Sequence, residues 1–491
     1  MTPARTTGAK RPGAALVPVD AYIDGTWVRG AGGRREVVNP ADGSVLAEVS
    51  LSSVDQCLAA VDAAFRAQDA WAASAPRLRS QILLRAFDLM NRDAEELARI
   101  ITLENGKVSA DARAEVAYAA EFFRWFAEES VRVPGDLRRS PAGHNWIMVS
   151  HEPVGVALLV TPWNFPAAMA TRKIAPALAA GCGVVLKPAM QTPLAALFIA
   201  RLLEEAGVPA GVVNVILPDP PGPAVNAMLA DPRVRALSFT GSTEVGRVLL
   251  RRSADTIARN SMELGGNAPF IVFDDADLDD AVEGFLLAKL RNGGAACTAA
   301  NRIFVQRGIH QEFLARITGR MAGLRMGPGS EPGSEIGAMV SQAERDRVAA
   351  LVDRAVQSGA RLVLGGSAPE RSGFFFPPTV LDGVSPTSEI MRTEIFGPVA
   401  PIAPFDHADE AIAWANASDA GLVSYVYTRD LERGLSVSRR LACGMVGLNR
   451  GLVSDPAAPF GGSKHSGLGR EGAHDGMLEF METKYVATPY V

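Results

Sequence analysis

Three side chains in this sequence could share a reaction between them. "RNGGAACTAANRIF", residues 291–304, sets one cysteine, Cys297, behind a run of glycine and alanine, with no adjacent histidine, acid or second cysteine. The stretch supports two readings. Free cysteine is usually buried and inert, so Cys297 could be a small hydrophobe in a tight turn; it could equally be a nucleophile that a substrate must approach closely. "NSMELGGNAPF" holds Glu263 ahead of two glycines. A lone glutamate is normally solvated, but one in a glycine-lined cleft whose pKa is raised by burial can serve as a general base. In "TPWNFPAAM", Pro166 suits the first turn of a helix, which leaves Trp163 and Asn164 in the loop before it. An asparagine there either caps the helix or offers its amide to an oxyanion.

Two further stretches suit an anionic ligand. In "SFTGSTEVGR" a strand ends at Thr240, and Gly241 and Gly246 bracket the start of a helix at Ser242. Glycine lets backbone approach a ligand, and a helix N-terminus favours negative charge; a plain structural turn accounts for the pattern equally well. "VVLKPAMQTP" puts Lys187 at the C-terminal end of a buried strand, where open α/β sheets bind nucleotides. An ordinary surface lysine is the competing reading.

The elements that must position these residues alternate between strand and helix. "SSVDQCLAAVDAAFRAQDA" opens with a Ser53-x-x-Gln56 capping box and continues with apolar residues at helical spacing. Residues 76–107 read as one or two more helices stopped by Gly106. After Pro134 come turn residues and a short β-like run. From residue 154 a βα pattern repeats through "VGVALLV", "GVVLKPA", "GVVNVIL" and "VRALSFT", with helical segments between them. Continuous apolar strands between helices imply a parallel sheet covered on both faces. A second βα series runs from about 268 to 445, and "MLEFMETKYVATPY" reads as a helix followed by an extended strand.

Bulk composition narrows the function classes. The chain has 491 residues, 48% hydrophobic and 21% charged, as expected of a globular protein of about three domain-sized units. Forty-nine basic residues against 54 acidic ones leave a net charge of −5, with no basic excess for nucleic acid or an anionic membrane. The four cysteines (Cys57, Cys182, Cys297, Cys443) form no CxxC pair, and the six histidines form no HExxH-like cluster, so neither a disulfide framework nor a metal site is signalled. The longest apolar run is too short to span a bilayer. With no signal-peptide pattern at its start, the chain is expected to be cytoplasmic, with a frayed tail over residues 1–18.

Each stretch is unremarkable alone. In this order, and beside "EIFGPV" (394–399) and "PFGGSKHSGLGREG" (459–472), they resemble the aldehyde dehydrogenase superfamily from about residue 20 to 487. "ELGGNAPFIVFDDADLD" and "LNRGLVSDPAAPFGG" look most like its succinate-semialdehyde dehydrogenase branch. The resemblance implies an α/β fold with a Rossmann-type NAD(P)-binding domain (19–133 and 152–262) and an α/β catalytic domain (263–445). It also implies a small β oligomerisation segment (134–151 and 469–491) and a return to the cofactor domain with a substrate-site loop (446–468). Homodimers or homotetramers are expected.

By that resemblance Cys297 is the nucleophile, with small neighbours that leave room for aldehyde and nicotinamide. Asn164 meets the oxyanion, and Glu263 activates the water that hydrolyses a thioester. Lys187 reaches the adenosine ribose of NAD or NADP, Ser242 and Trp163 the pyrophosphate, and Glu394 the nicotinamide ribose, with Phe396 beside the ring. Arg172, Arg291 and Ser454 match the positions that hold a substrate carboxylate, and arginine's planar fork suits that task. The expected reaction oxidises succinate semialdehyde to succinate. Glutarate semialdehyde, an uncharged aldehyde, or a catalytically silent oligomeric binding protein are the alternatives.

This chain departs from the family pattern in three places. Ala295 replaces a common glutamine, which removes a hydrogen-bonding side chain from the catalytic loop. Ala299 replaces a second cysteine, which removes a disulfide switch. Met190 stands where relatives carry glutamate or serine, so discrimination between NAD and NADP is expected to be weak.

Overall fold

The apolar runs fold as strands buried on both faces. The structure, a computed structural model, describes residues 17–490. The expected tail falls mainly on residues 1–16, outside the described residues, and Val17 already packs against the largest core cluster. Five parallel strands, Val156–Val160, Gly183–Lys187, Val213–Val215, Val234–Thr240 and Arg259–Glu263, form the centre of an 8-stranded sheet. Their order across the sheet is third, second, first, fourth, fifth. Short antiparallel strands close its edges, Ala21–Ile23 and Thr26–Val28 on one side and Gly467–Leu468 on the other. The strand order reverses between Val156–Val160 and Val234–Thr240. Their C-terminal ends lead into Trp163–Asn164 and Gly241–Ser242, the crevice where open α/β sheets bind ligands.

Local signals explain the helices that cover this sheet. Ser53 and Gln56 form the reciprocal capping box at the head of Val54–Ala72. Residues 76–107 hold two helices, Pro76–Arg92 and Ala94–Asn105, closed by left-handed Gly106 (φ 92°). A further helix, Ser109–Glu129, follows. Helices Pro166–Ala180 and Pro193–Ala206 each begin on proline, which needs no intrahelical N–H partner in the first turn.

The second large sheet has seven strands in the order Arg361–Leu364, Thr379–Asp382, Val399–Phe405, Ala300–Gln306, Ala268–Val272, Val423–Tyr427 and Met445–Leu448. All pairs are parallel except the first. A separate three-stranded antiparallel sheet joins Met481–Pro489 along the whole of Asn145–Pro153, with Asp136–Arg139 beyond. It carries exposed Leu137, Met148, Tyr485 and Val486. Among the described residues no helix is long and apolar enough to cross a membrane. Among them also, no three His, Cys, Asp or Glu side chains group as a metal site.

Candidate active site

The loop that carries Cys297 follows helix Leu278–Leu290 and is wound left-handed at Asn292 (φ 57°), Gly293 (φ 59°) and Gly294 (φ 81°). The tight turn suits glycine, and the close approaches require it. A Cβ at Gly294 would collide with the Gly397 carbonyl, and one at Gly266 would collide with the Cys297 carbonyl. The glycines thus serve first to thread the loop's main chain between segments 266 and 397, more than to keep space open for a ligand. Cys297 itself faces a cleft of about 880 Å³.

That cleft brings together Trp163, Asn164, Gly241, Ser242, Glu263, Cys297, Glu394 and Phe396, drawn from both large sheets. Trp163 and Phe396 meet edge to face, 5.3 Å between centroids. Ser242 caps helix Thr243–Ser253, accepting from the Val245 N–H at 3.4 Å, so the positive end of that helix faces the cleft. Gly246 is buried behind this turn, and its missing side chain admits Leu264. It packs the helix and does not line the cleft.

Lys187, Arg172, Arg291 and Ser454 also lie outside this lining. Lys187 ends its strand 8% exposed, with burial bringing its amine down to about 8 against the opposing pull of Asp219. Met190 is buried in the core. The carboxylate near Lys187 comes instead from Asp219, ion-paired to Arg35 at 2.5 Å. The sequence reading of Met190 overlooked this acid, which stands in a different segment.

Three titratable groups in the cleft are shifted toward their neutral forms. Glu263 is 2% exposed and neither of its carboxylate oxygens has a partner. Burial, then the nearby charge of Glu471, pushes its pKa well above the usual carboxylate range, against Arg172, Lys173 and Arg470. Burial likewise pushes Glu394 up to about 7, although its carboxylate accepts the Gly266 N–H at 3.0 Å. The Cys297 thiol opens on the cleft, yet burial pushes it up to about 12, with Arg172 and Arg291 pulling down and Glu263 and Glu394 pushing up. At neutral pH the sulfur is a thiol and requires a proton acceptor.

A network unseen in the sequence holds Asn164. Its carbonyl accepts from Lys107 Nζ at 2.7 Å and from Asn292 Nδ2 at 2.8 Å. Lys107 pairs in turn with Glu115 at 2.5 Å, both side chains being almost wholly buried, and Glu115 caps helix Pro166–Ala180 through the Ala167 N–H. The Asn164 amide donates to the Ala295 carbonyl at 3.1 Å, and Asn292 donates to the same oxygen at 2.9 Å. The loss of a glutamine side chain at 295 therefore does not release the loop, because its main chain is gripped. One Asn164 amide hydrogen is engaged; the other remains for the cleft.

The three residues assigned to a carboxylate separate into two arrangements. Arg291 Nη2 reaches Ser454 Oγ at 3.5 Å and Thr298 Oγ1 at 3.4 Å, one residue from Cys297, with its guanidinium 5.1 Å from the Phe165 ring. Arg172 is committed more deeply. Its Nε bonds Glu471, which also binds Lys173, and its guanidinium stacks 4.1 Å from the Phe460 ring. Burial alone would raise Glu471, but Arg172 and Lys173 outweigh it and hold the carboxyl low. Glu471 lies in the "GREG" stretch, and Lys173 adjoins Arg172; residue type gave no sign that they pair across 299 and 298 positions.

Two sheets, a switch-point crevice and a cysteine facing a buried acid across one cleft define a dinucleotide-dependent dehydrogenase architecture. The sequence profile of the aldehyde dehydrogenase family matches residues 27–486, and the chain belongs to that family. It is 50% identical to a succinate-semialdehyde dehydrogenase of Paenarthrobacter nicotinovorans, over 91% of this chain and 100% of that one. It is 46% identical to an NADP-dependent succinate-semialdehyde dehydrogenase of Escherichia coli K12, over 95% and 97%. A crystal structure of succinate-semialdehyde dehydrogenase from Burkholderia pseudomallei superposes with TM-score 0.96 at 44% identity, covering 99% of this chain and 100% of that one.

Proposed function

We propose that this protein oxidises succinate semialdehyde to succinate with NAD or NADP. The observation that carries the substrate choice is the meeting of Arg291 and Ser454 beside Thr298, one residue from the nucleophile. A cation and a hydroxyl at that distance suit an anion on the far end of a short aldehyde.

The donor set fits a dinucleotide. A capped helix N-terminus suits the pyrophosphate, the Glu394 carboxylate suits ribose hydroxyls, and Trp163 and Phe396 offer aromatic walls. Lys187 ends the neighbouring strand on the adenosine side. When bound, the nicotinamide supplies the hydride acceptor.

Cys297 releases its proton to solvent water in the open cleft and adds through sulfur to the aldehyde carbon, the carbonyl π pair moving onto oxygen. The Asn164 amide and the Cys297 backbone N–H meet the resulting oxyanion, each worth about 3 kcal/mol in a dry site. Departure of the hydride leaves a thioester on Cys297. Burial and the charge of Glu471 hold the Glu263 carboxyl well above the usual carboxylate range, and it acts as base in the form that has released its proton to solvent. It then takes a proton from water as the oxygen attacks the thioester, the C–S bond breaks, and succinate leaves. A buried glutamate free of partners favours hydrolysis over acyl transfer to a thiol carrier.

We also assign self-association to the three-stranded sheet with its exposed Leu137, Met148, Tyr485 and Val486; analytical ultracentrifugation of a Leu137→Glu variant would show smaller species. For the reaction, NAD(P)H absorbance is compared for succinate semialdehyde and butanal. A preference of about a hundredfold or more in kcat/KM for the acid is expected from a close charge pair. Equal values would refute the substrate assignment.

A further inference from the structure

The residue that the proposed mechanism leaves unused is Tyr118, on helix Ser109–Glu129. Its ring packs against the large core cluster and meets Phe122 edge-on at 4.9 Å. Its hydroxyl oxygen, however, is buried without any protein hydrogen-bond partner. Buried hydroxyls are usually paired, so an orphan one calls for a partner that the protein itself does not supply. The charges that bear on it identify that partner. Arg172 and Arg291 act on this hydroxyl from the positive side, Glu471 from the negative, and the Cys297 sulfur lies within the same reach. Glu471 is already matched by Arg172 and Lys173. Burial pushes the phenol pKa up, so the oxygen keeps its hydrogen and is a donor.

Tyr118 shares a helix face with Asp111, which accepts the Asn292 N–H at 2.9 Å, and with Glu115, which accepts the Ala167 N–H, so this face is turned to the nucleophile's loop; a protonated hydroxyl there, under the pull of two guanidinium groups, is complementary to an anion. We propose that Tyr118 donates to the distal carboxylate of the aldehyde and is a specificity-determining residue alongside Arg291 and Ser454; this rests on the carboxylated-aldehyde reading above. Arg172, whose Nε is held by Glu471, sets the potential of the pocket more than it clasps the ligand. Tyr118 takes over the role of the third donor.

Tyr118→Phe removes only the oxygen. With succinate semialdehyde and butanal assayed side by side, the ratio of kcat/KM for acid over butanal is expected to fall about 10- to 100-fold, the worth of one hydrogen bond to a charged group. The loss appears in KM and not in kcat. Succinate's protection of Cys297 against a thiol-alkylating reagent weakens by a similar factor, a readout that needs no turnover. A merely structural tyrosine would lower both aldehydes together; that outcome, or an unmoved ratio, overturns the proposal. Arg291→Met separates the two readings. If wild type prefers the acid and Arg291→Met abolishes the preference while Tyr118→Phe keeps it, Tyr118 alone is wrongly assigned. If wild type shows no preference, the carboxylate reading and this proposal fall together.

Discussion

Glu263→Gln exchanges a buried carboxyl, whose two oxygens have no partner, for an amide of nearly the same shape. Nothing that packs on Glu263 is lost, so its effect on rate reports proton transfer alone. A positioned general base contributes about 10²- to 10⁴-fold, which at about 1.36 kcal/mol per decade is roughly 3–5 kcal/mol of barrier. That barrier falls on thioester hydrolysis and not on hydride transfer. In rapid mixing, Glu263→Gln should therefore give one NAD(P)H per active site in a burst, then turnover slowed by that factor. Mass spectrometry should find one acyl group on the peptide carrying Cys297. If burst and steady state vanish together, Glu263 acts earlier, as acceptor of the Cys297 proton, and the assignment fails. Stability gives an independent check on the cause. A carboxyl raised by folding binds its proton more tightly when folded; its contribution is intact below the ordinary carboxylate range and is lost as pH rises through the folded value. The amide escapes that loss, so the variant's Tm at pH 8 should equal or exceed that of wild type.

Glu471→Gln leaves Arg172 and Lys173 buried without their counter-charge. Breaking such a pair costs about 3–5 kcal/mol, and at roughly 2.1 cal/mol/K per residue over this length the Tm should fall by about 3–5 °C. Because Glu471 pushes the Glu263 pKa up, the same change should move the acid limb of the kcat profile to lower pH; an unmoved limb would show the two acids to be independent. Asp219→Asn removes a carboxylate that faces Lys187 and frees Arg35. The pair is partly exposed and screened, so the affinity ratio of NADP over NAD, read by protein fluorescence, should rise only about two- to fivefold. A falling ratio would place the 2′-phosphate elsewhere.

The sequence reveals what local physics decides. Ser53 and Gln56 announce a capping box that the structure contains, and apolar runs such as "VGVALLV" are buried on both faces because a covered parallel sheet demands it. The candidates Trp163, Asn164, Ser242, Glu263, Cys297, Glu394 and Phe396 share one cleft, since strand ends and helix starts gather at the switch point. Relations across long separations stay hidden. Glu471 looks like one more polar residue until it meets Arg172, and Asp219 supplies an acid that position 190 lacks. Tyr118 carries no signal of its own in the sequence, because periodicity reports which face is buried and not where a hydroxyl points. Gly246 reads equally as a ligand approach or as a structural turn, and its bare Cα admits Leu264; these are two demands on glycine that a one-dimensional pattern cannot separate.

Two amides clasp the oxygen of residue 295, an atom of its main chain. Shape at the lip of the nucleophile's loop is thereby uncoupled from the loop's anchorage, since the anchoring atoms belong to every amino acid alike. Randomising this one codon should therefore leave the sulfur on station, because both donors grip an atom that no substitution removes.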